Sequence, residues 1–157
     1  MRLEYFQLID RVIEFNLADR KISTEATVPT ASTIFEGHFP GNPLMPGVLL
    51  LETMAQTSGW LLLAMNRCER AAYLAAVKEA KFRGFVRPGE RLTAEAKLAH
   101  EGSGYAVTEA RILKDGKQVC DATLTMRVLE FPNAEMEQQV RNLATQIGLT
   151  VEARADG

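Results

Sequence analysis

The chain has 157 residues, 46% of them hydrophobic and 24% charged, with a formal net charge of −2 and a sequence pI near 5.8. That balance describes one soluble globular domain with enough apolar material for a core, and it excludes the basic footprint of a nucleic-acid binder. No Gly-rich phosphate loop, paired-cysteine motif, His-Glu-x-x-His run or Gly-x-Ser-x-Gly frame occurs, so no metal or nucleotide cofactor and no serine-hydrolase chemistry is expected.

Glu4 and Asp10 lie within the first ten residues, and no basic stretch leads into an apolar one, so no secretory signal is visible. Cys68 and Cys120 lack metal-ligand spacing and read as reduced, buried thiols. A cytoplasmic protein is expected. Residues 5–13 predict a short helix, and near-alternation over 20–28 predicts a strand.

Residues 37–60 carry the most information. Pro40, Pro43 and Pro46 exclude a regular helix before residue 46, and Pro46 suits the first helical position, where its missing N–H has no partner in any case. From Val48 to Met65 apolar side chains point in nearly every direction, which predicts a helix surrounded by protein. Glu52, Gln56, Thr57, Ser58 and Gly59 interrupt the run and argue against a membrane span. Beyond it, strands are predicted at 72–86, 91–99, 104–113 and 117–128, punctuated by Arg87-Pro88-Gly89, Gly102-Ser103-Gly104 and a tight Asp115-Gly116 hairpin. Alternation of Leu92, Ala94, Ala96 and Leu98, and of Cys120, Ala122, Leu124, Met126 and Val128, predicts an antiparallel sheet with one buried face. Sheet plus one long buried helix makes an α+β fold.

In the tail, Asn133 is a candidate N-cap, Met136, Val140, Leu143 and Ile147 recur at helical spacing, and Gly148 can stop the helix. An amphipathic helix over 133–147 follows. It packs on its own domain or a partner, covers a tunnel, or touches a membrane surface.

Two ionisable groups sit in the central stretch. His38 heads the turn, and Glu52 follows among Leu49, Leu50, Leu51, Met54 and Ala55, where a carboxylate must be paired, protonated or employed. Gln56, four residues on, shares its face and can hydrogen-bond it. Gly47, in the first turn, offers an N–H without an intrahelical acceptor and no Cβ to obstruct a ligand oxygen. His38 taken alone reads first as a structural histidine, the common role beside a turn. His100, flanked by Glu101-Gly102-Ser103-Gly104, reads as a solvated loop histidine.

The run His38-Phe39-Pro40-Gly41-x-Pro43-x-x-Pro46-Gly47-Val48-Leu49-x-x-Glu52-x-x-Ala55-Gln56 resembles the signature of the 3-hydroxyacyl-[acyl-carrier-protein] dehydratases of the FabZ type. Val77-Lys78-Glu79-Ala80-Lys81-Phe82-Arg83 and Val86-Arg87-Pro88-Gly89-Glu90 are similar to that family's strand entering the sheet. The resemblance covers about residues 3–130. It lacks the family's usual Pro-His-Arg-Tyr-Pro-like element; the opening, Leu51-Glu52-Thr53-Met54-Ala55-Gln56 and the tail look like a branch devoted to very-long-chain hydroxyacyl groups of lipid A.

The resemblance implies a hotdog fold and dehydration of a (3R)-3-hydroxyacyl group carried on acyl carrier protein. His38 would be the base, Glu52 the acid, and the Gly47 N–H the donor to the thioester carbonyl, with Phe39, Pro46, Val48, Gln56, Met54 and Trp60 against the substrate. It further implies a homodimer whose sites each take His38 and Glu52 from different subunits, or a hexamer of three such dimers. A tunnel lined by Leu51, Met54, Trp60 and Leu61 is expected, although core is the commoner fate of such side chains on a buried helix. Lys78, Lys81, Arg83 and Arg87, with Arg91, read either as a solvated strand face or as a dock for an acidic carrier protein. Outside dehydration, a hotdog thioesterase using a carboxylate to activate water, or a non-catalytic acyl-binding protein, remains; a FabA-like dehydratase and isomerase would carry Asp in place of Glu52.

Overall fold

The structure, a computed structural model, describes residues 1–150. A 3₁₀ turn at Leu3–Tyr5 precedes strands β1 (Arg11–Asn16) and β2 (Lys21–Thr27), the short helix α1 (Thr33–Gly37) and the long helix α2 (Gly47–Met65). Four longer strands follow, β3 (Ala71–Phe82), β4 (Arg91–Gly102), β5 (Tyr105–Lys114) and β6 (Lys117–Leu129), and then helix α3 (Ala134–Gln146). All strand pairs are antiparallel, and the spatial order is β1-β2-β4-β5-β6-β3.

The sheet curls around α2, which packs against β2 through β6. Leu92, Ala94, Ala96, Cys120, Ala122, Leu124 and Met126 are all buried on its inner face, as their alternation anticipates. From the helix, Leu50, Met54, Leu61 and Leu62 fill the same core, each worth about 1.5–3 kcal/mol when removed from water. α2 is long and apolar enough to cross a membrane by composition, and its burial against the sheet accounts for that composition. Its polar interruption is also internal: Thr24 Oγ1 lies 3.2 Å from Thr57 Oγ1, and Thr108 donates to Ser58 at 2.8 Å. Those pairings let α2 bury hydroxyls without leaving them unsatisfied. A helix enclosed by an antiparallel sheet is the hotdog arrangement.

Several boundaries differ from the sequence reading. Residues 5–13 do not form a helix: after the 3₁₀ turn the chain runs extended and enters β1, which pairs with β2 from Arg11↔Glu25 to Asn16↔Lys21. Apolar residues at 5, 6, 8, 9, 12 and 13 fit either period, and the free edge of β2 supplies backbone partners that decide the matter. β3 ends at Phe82 rather than 86, because the chain leaves β6 and the Val86 carbonyl instead accepts from the Met45 N–H at 2.7 Å. α1 was not anticipated; it is a single turn capped by Ser32, whose hydroxyl accepts from the Ile34 N–H. Pro46 is the N-cap of α2, and Gly47 the first helical residue. His100 lies on β4, paired with Val107, because the hairpin tightens to Gly102↔Tyr105; its ring nitrogen sits 3.1 Å from the Tyr105 hydroxyl.

The tail helix forms with Asn133 accepting from the Met136 N–H, and Gly148, at φ +79°, ends it in the left-handed conformation glycine adopts most readily. α3 packs on its own subunit through Ala144, and Ile147 and Leu149 just after it are buried as well. Cys68 and Cys120 are free and buried, and burial pushes the Cys120 thiol up to about 11, so neither offers a thiolate at neutral pH.

Candidate active site

His38 sits where α1 ends. Its backbone N–H donates to the Ile34 carbonyl, its carbonyl accepts from Leu44, and its Nδ1 lies 3.0 Å from the Leu44 oxygen. A carbonyl can only accept, so Nδ1 carries the proton and Nε2 of the neutral ring holds the free lone pair. Phe39 stacks on the imidazole with centroids 4.1 Å apart. The turn that aims this ring is closed by reciprocal bonds between Phe39 and Asn42, with Gly41 at φ +72° supplying the left-handed residue. Beside it, the Leu49 and Leu50 N–H groups both donate to the Pro46 carbonyl, while the Gly47 N–H, one position into the helix, has no intrahelical acceptor. His38, Phe39, Met45, Gly47, Phe82 and Phe85 line one cavity of about 370 Å³. A Cβ on Gly47 would lie 3.5 Å from the Phe82 ring, in contact but not clashing, and would narrow that cavity.

Glu52 is half-buried, one and a half turns into α2 and on another face. Its carboxylate accepts from Gln56 Nε2 at 3.0 Å. Gln56 is held in turn: Nε2 also donates to the Phe6 carbonyl at 2.7 Å, and Oε1 accepts from the Leu8 N–H at 3.2 Å. The N-terminal segment is thus linked to the carboxylate through Gln56. Glu52 faces a second cavity, of about 420 Å³, whose walls include Trp60, Tyr73, Leu74, Met126, Leu143 and Ile147.

His38 and Gly47 thus share one cavity, and Glu52 and Gln56 another. Neither cavity of the described chain contains both ionisable groups. Trp60 lines the Glu52 cavity, whereas Met54 and Leu61 line neither one. Both are fully buried, because residues seven apart share the helix face turned to the sheet. Leu51 packs part-buried against the core. Pro46 is buried, whereas Val48 is 73% exposed and Phe39 49%. Among the basic residues, Arg83 lines the His38 cavity and pairs with Asp121, while Lys78, Lys81 and Arg87 are exposed.

The strand contribution escaped the sequence reading. Tyr73 and Leu74 at one end of β3, and Phe82 with Phe85 at and beyond the other, belong to different cavities, and all are at least 38% exposed. The apolar stripe of the tail helix was legible, with a cover over a tunnel as one of its readings, and the structure puts Leu143 of α3 and its C-cap Ile147 against the Glu52 cavity.

A model of the FabA-like domain family matches residues 2–123. The chain is 40% identical over 122 residues to the 3-hydroxyacyl-[acyl-carrier-protein] dehydratase FabZ of Ligilactobacillus salivarius, covering 77% of this chain and 86% of that one. The chain belongs to the FabA-like family, among its FabZ members. The FabZ of Chlamydia pneumoniae is 37% identical over 130 residues, 80% of this chain and 84% of that protein. A bifunctional enzyme LpxC/FabZ of Chlorobaculum tepidum is 39% identical over 130 residues, and there the chain spans only 28% of the relative's length. Among solved structures, conserved protein PA5202 of Pseudomonas aeruginosa aligns with a TM-score of 0.63 at 21% identity, over 80% of this chain and 91% of that one. A hypothetical thioesterase protein with coenzyme A from Streptococcus pneumoniae aligns at 0.62 and 17% identity, over 78% and 88%. These two likenesses establish the hotdog fold and nothing about chemistry.

Proposed function

We propose that the chain dehydrates a (3R)-3-hydroxyacyl group on acyl carrier protein to the trans-2-enoyl form, as a lyase of fatty acid biosynthesis. FabZ membership supports the reaction. The observation that carries its residue-level form is the separation of His38 with Gly47 from Glu52 at opposite ends of β3, an edge strand whose outer side pairs with no strand among the described residues. Tyr73, Leu74, Val77 and Phe82 leave apolar surface along that edge, which a monomer in water would not favour. Antiparallel pairing of two β3 strands about a two-fold axis near Lys78 brings the Leu74 end of one subunit to the Phe82 end of the other. The Glu52 cavity of one protomer then meets the His38 cavity of its partner, and each dimer holds two composite sites.

In such a site His38 Nε2 takes the proton from C2, and the electrons of that C–H bond move toward the thioester carbonyl. The Gly47 N–H, at the positive end of α2, donates to the carbonyl oxygen as charge develops there. Glu52, held by Gln56, donates its proton to the C3 hydroxyl; the C3–O bond breaks, water leaves, and the C2–C3 double bond forms. Solvent then returns His38 to its neutral form and Glu52 to its acid form. A thioesterase reading rests on fold likeness alone.

The carrier protein docks on Lys78, Lys81, Arg83 and Arg87, of which Arg83 lines the His38 cavity and the others are exposed on β3 and the loop after it. The enzyme is a cytoplasmic homodimer or a hexamer of three dimers, and its substrates are very-long-chain hydroxyacyl groups for lipid A; contact of the Glu52 cavity with the tail helix supports the chain-length part. Purified protein incubated with 3-hydroxyacyl thioesters tests the reaction: growth of the near-ultraviolet absorbance of a conjugated enoyl thioester is expected, and release of free thiol without enoyl product would instead mark a thioesterase.

A further inference from the structure

The Glu52 cavity has a few polar groups, Glu52, Gln56 and Gln7, in a mostly apolar lining that includes Trp60, Leu63, Met126, Leu143 and Ile147. Along α2 the polar Glu52 and Gln56 come first, and Trp60 and Leu63 follow one and two turns on. A ligand with a polar reacting head and an apolar tail fits it, and resting on the dehydratase reading, that tail is the acyl chain. Two of the apolar wall residues, Leu143 on α3 and Ile147 at its C-cap, lie beyond the segment matched by the family model.

α3 is seated by groups other than Leu143. Arg141 donates to the carbonyls of Arg67 at 3.2 Å and Cys68 at 3.0 Å while paired with Glu137. The Val12 N–H donates to the Ile147 carbonyl at 2.7 Å, and Ala144 is 2% exposed against the core. The Tyr73 hydroxyl reaches Met136 Sδ at 3.9 Å, tying the helix to β3 beside the cavity. Leu143 itself is only half-buried, with cavity space in front of it. The helix is thus fixed by its flanks and presents Leu143 as a replaceable surface.

We propose that α3 is the wall that sets acyl-chain length, with Leu143 as its main specificity-determining residue and Ile147 beside it. Shortening Leu143 opens room for more of the tail. Each methylene then buried favours the longer substrate by about fourfold.

The test compares wild type with Leu143→Ala, Leu143→Trp and, as a control on the same apolar stripe but outside the cavity lining, Val140→Ala. The kcat/KM ratio of long to short 3-hydroxyacyl thioesters should rise at least tenfold in Leu143→Ala, fall in Leu143→Trp, and stay at the wild-type ratio in Val140→Ala. In parallel, calorimetry measures the affinities of saturated acyl-coenzyme A thioesters of increasing length. The same reordering is expected, and this arm reads the wall even for a protein that dehydrates nothing, in which case the reaction assignment fails while the wall stands. Length profiles that coincide across wild type and both Leu143 variants, in binding and in turnover, would overturn the proposal, as would an equal shift in Val140→Ala.

Discussion

Gln56 joins Glu52 to the N-terminal segment: one amide nitrogen lies 3.0 Å from the Glu52 carboxylate and 2.7 Å from the Phe6 carbonyl. A side chain so placed holds the carboxylate and the entry segment in a single hydrogen-bonded unit. Gln56→Ala removes that bond and leaves the Phe6 carbonyl and the Leu8 N–H to find other partners, at about 1–3 kcal/mol for groups kept from water. Thermal unfolding should show a lowered Tm, and kcat should fall about ten- to a hundredfold while KM changes little. An unchanged kcat would remove Gln56 from the positioning of Glu52.

Glu52→Gln separates chemistry from structure. The amide retains the shape and can still accept from Gln56, so Tm should stay near wild type, while kcat drops by about 10²–10⁴. Steady-state rates and a melting curve on the same preparation check both halves. Turnover comparable to wild type would dismiss Glu52 as the acid.

Much of this architecture was legible in the chain. Strict alternation in β4 and β6 can bury only one face, and the prolines ahead of Gly47 leave few places for α2 to begin. Glu52 and Gln56 share a face because they are four residues apart, a spacing that depends on nothing distant. The N-terminal segment was misread because its apolar spacing fits helix and strand alike, and the choice is made by the distant edge of β2. Met54 and Trp60 looked equivalent in a helix apolar on every side, yet sheet curvature sends one into the core and the other to a cavity wall. That His38 and Glu52 face different cavities depends on how β3 and the loop after it pass α2, which local pattern does not encode.

Stability toward acid should show the grip of Glu4 on α1. Its carboxylate accepts from the Ser32 hydroxyl at 2.6 Å and from the Thr33 N–H at 3.2 Å, and these bonds, with its own backbone N–H, hold it below its ordinary value of 4.5. A depressed folded-state value stabilises the fold above pH 4.5, and that stabilisation fades as pH falls through the lowered value. The Tm of wild type should therefore exceed that of Glu4→Gln at pH 7, and the gap should close below pH 4.5. A gap that widens on acidification would contradict the assignment.

Carrier docking is open to a charge test. Arg87 is exposed beside the loop that contains Phe85, whose carbonyl accepts from Lys114 at 2.8 Å while Lys114 also pairs with Glu90. Arg87→Glu should raise KM for carrier-bound substrate, about fivefold or more at low salt and less as salt screens the contact. A small cysteamine thioester should be processed as before. Equal loss with both substrates would point to a disturbed loop and not to docking.

The composite site is tested most directly by mixing two inactive variants. His38→Ala and Glu52→Gln are each expected to be inactive, yet a mixed dimer retains one site that takes His38 from the Glu52→Gln subunit and Glu52 from the His38→Ala subunit. Random reassociation of equal amounts makes half the dimers mixed, each with one working site, so activity should return to about a quarter of wild type. Mixing without subunit exchange should give none. If thorough subunit exchange, verified with tagged subunits, restores no activity, His38 and Glu52 do not meet across a dimer and the central claim is wrong.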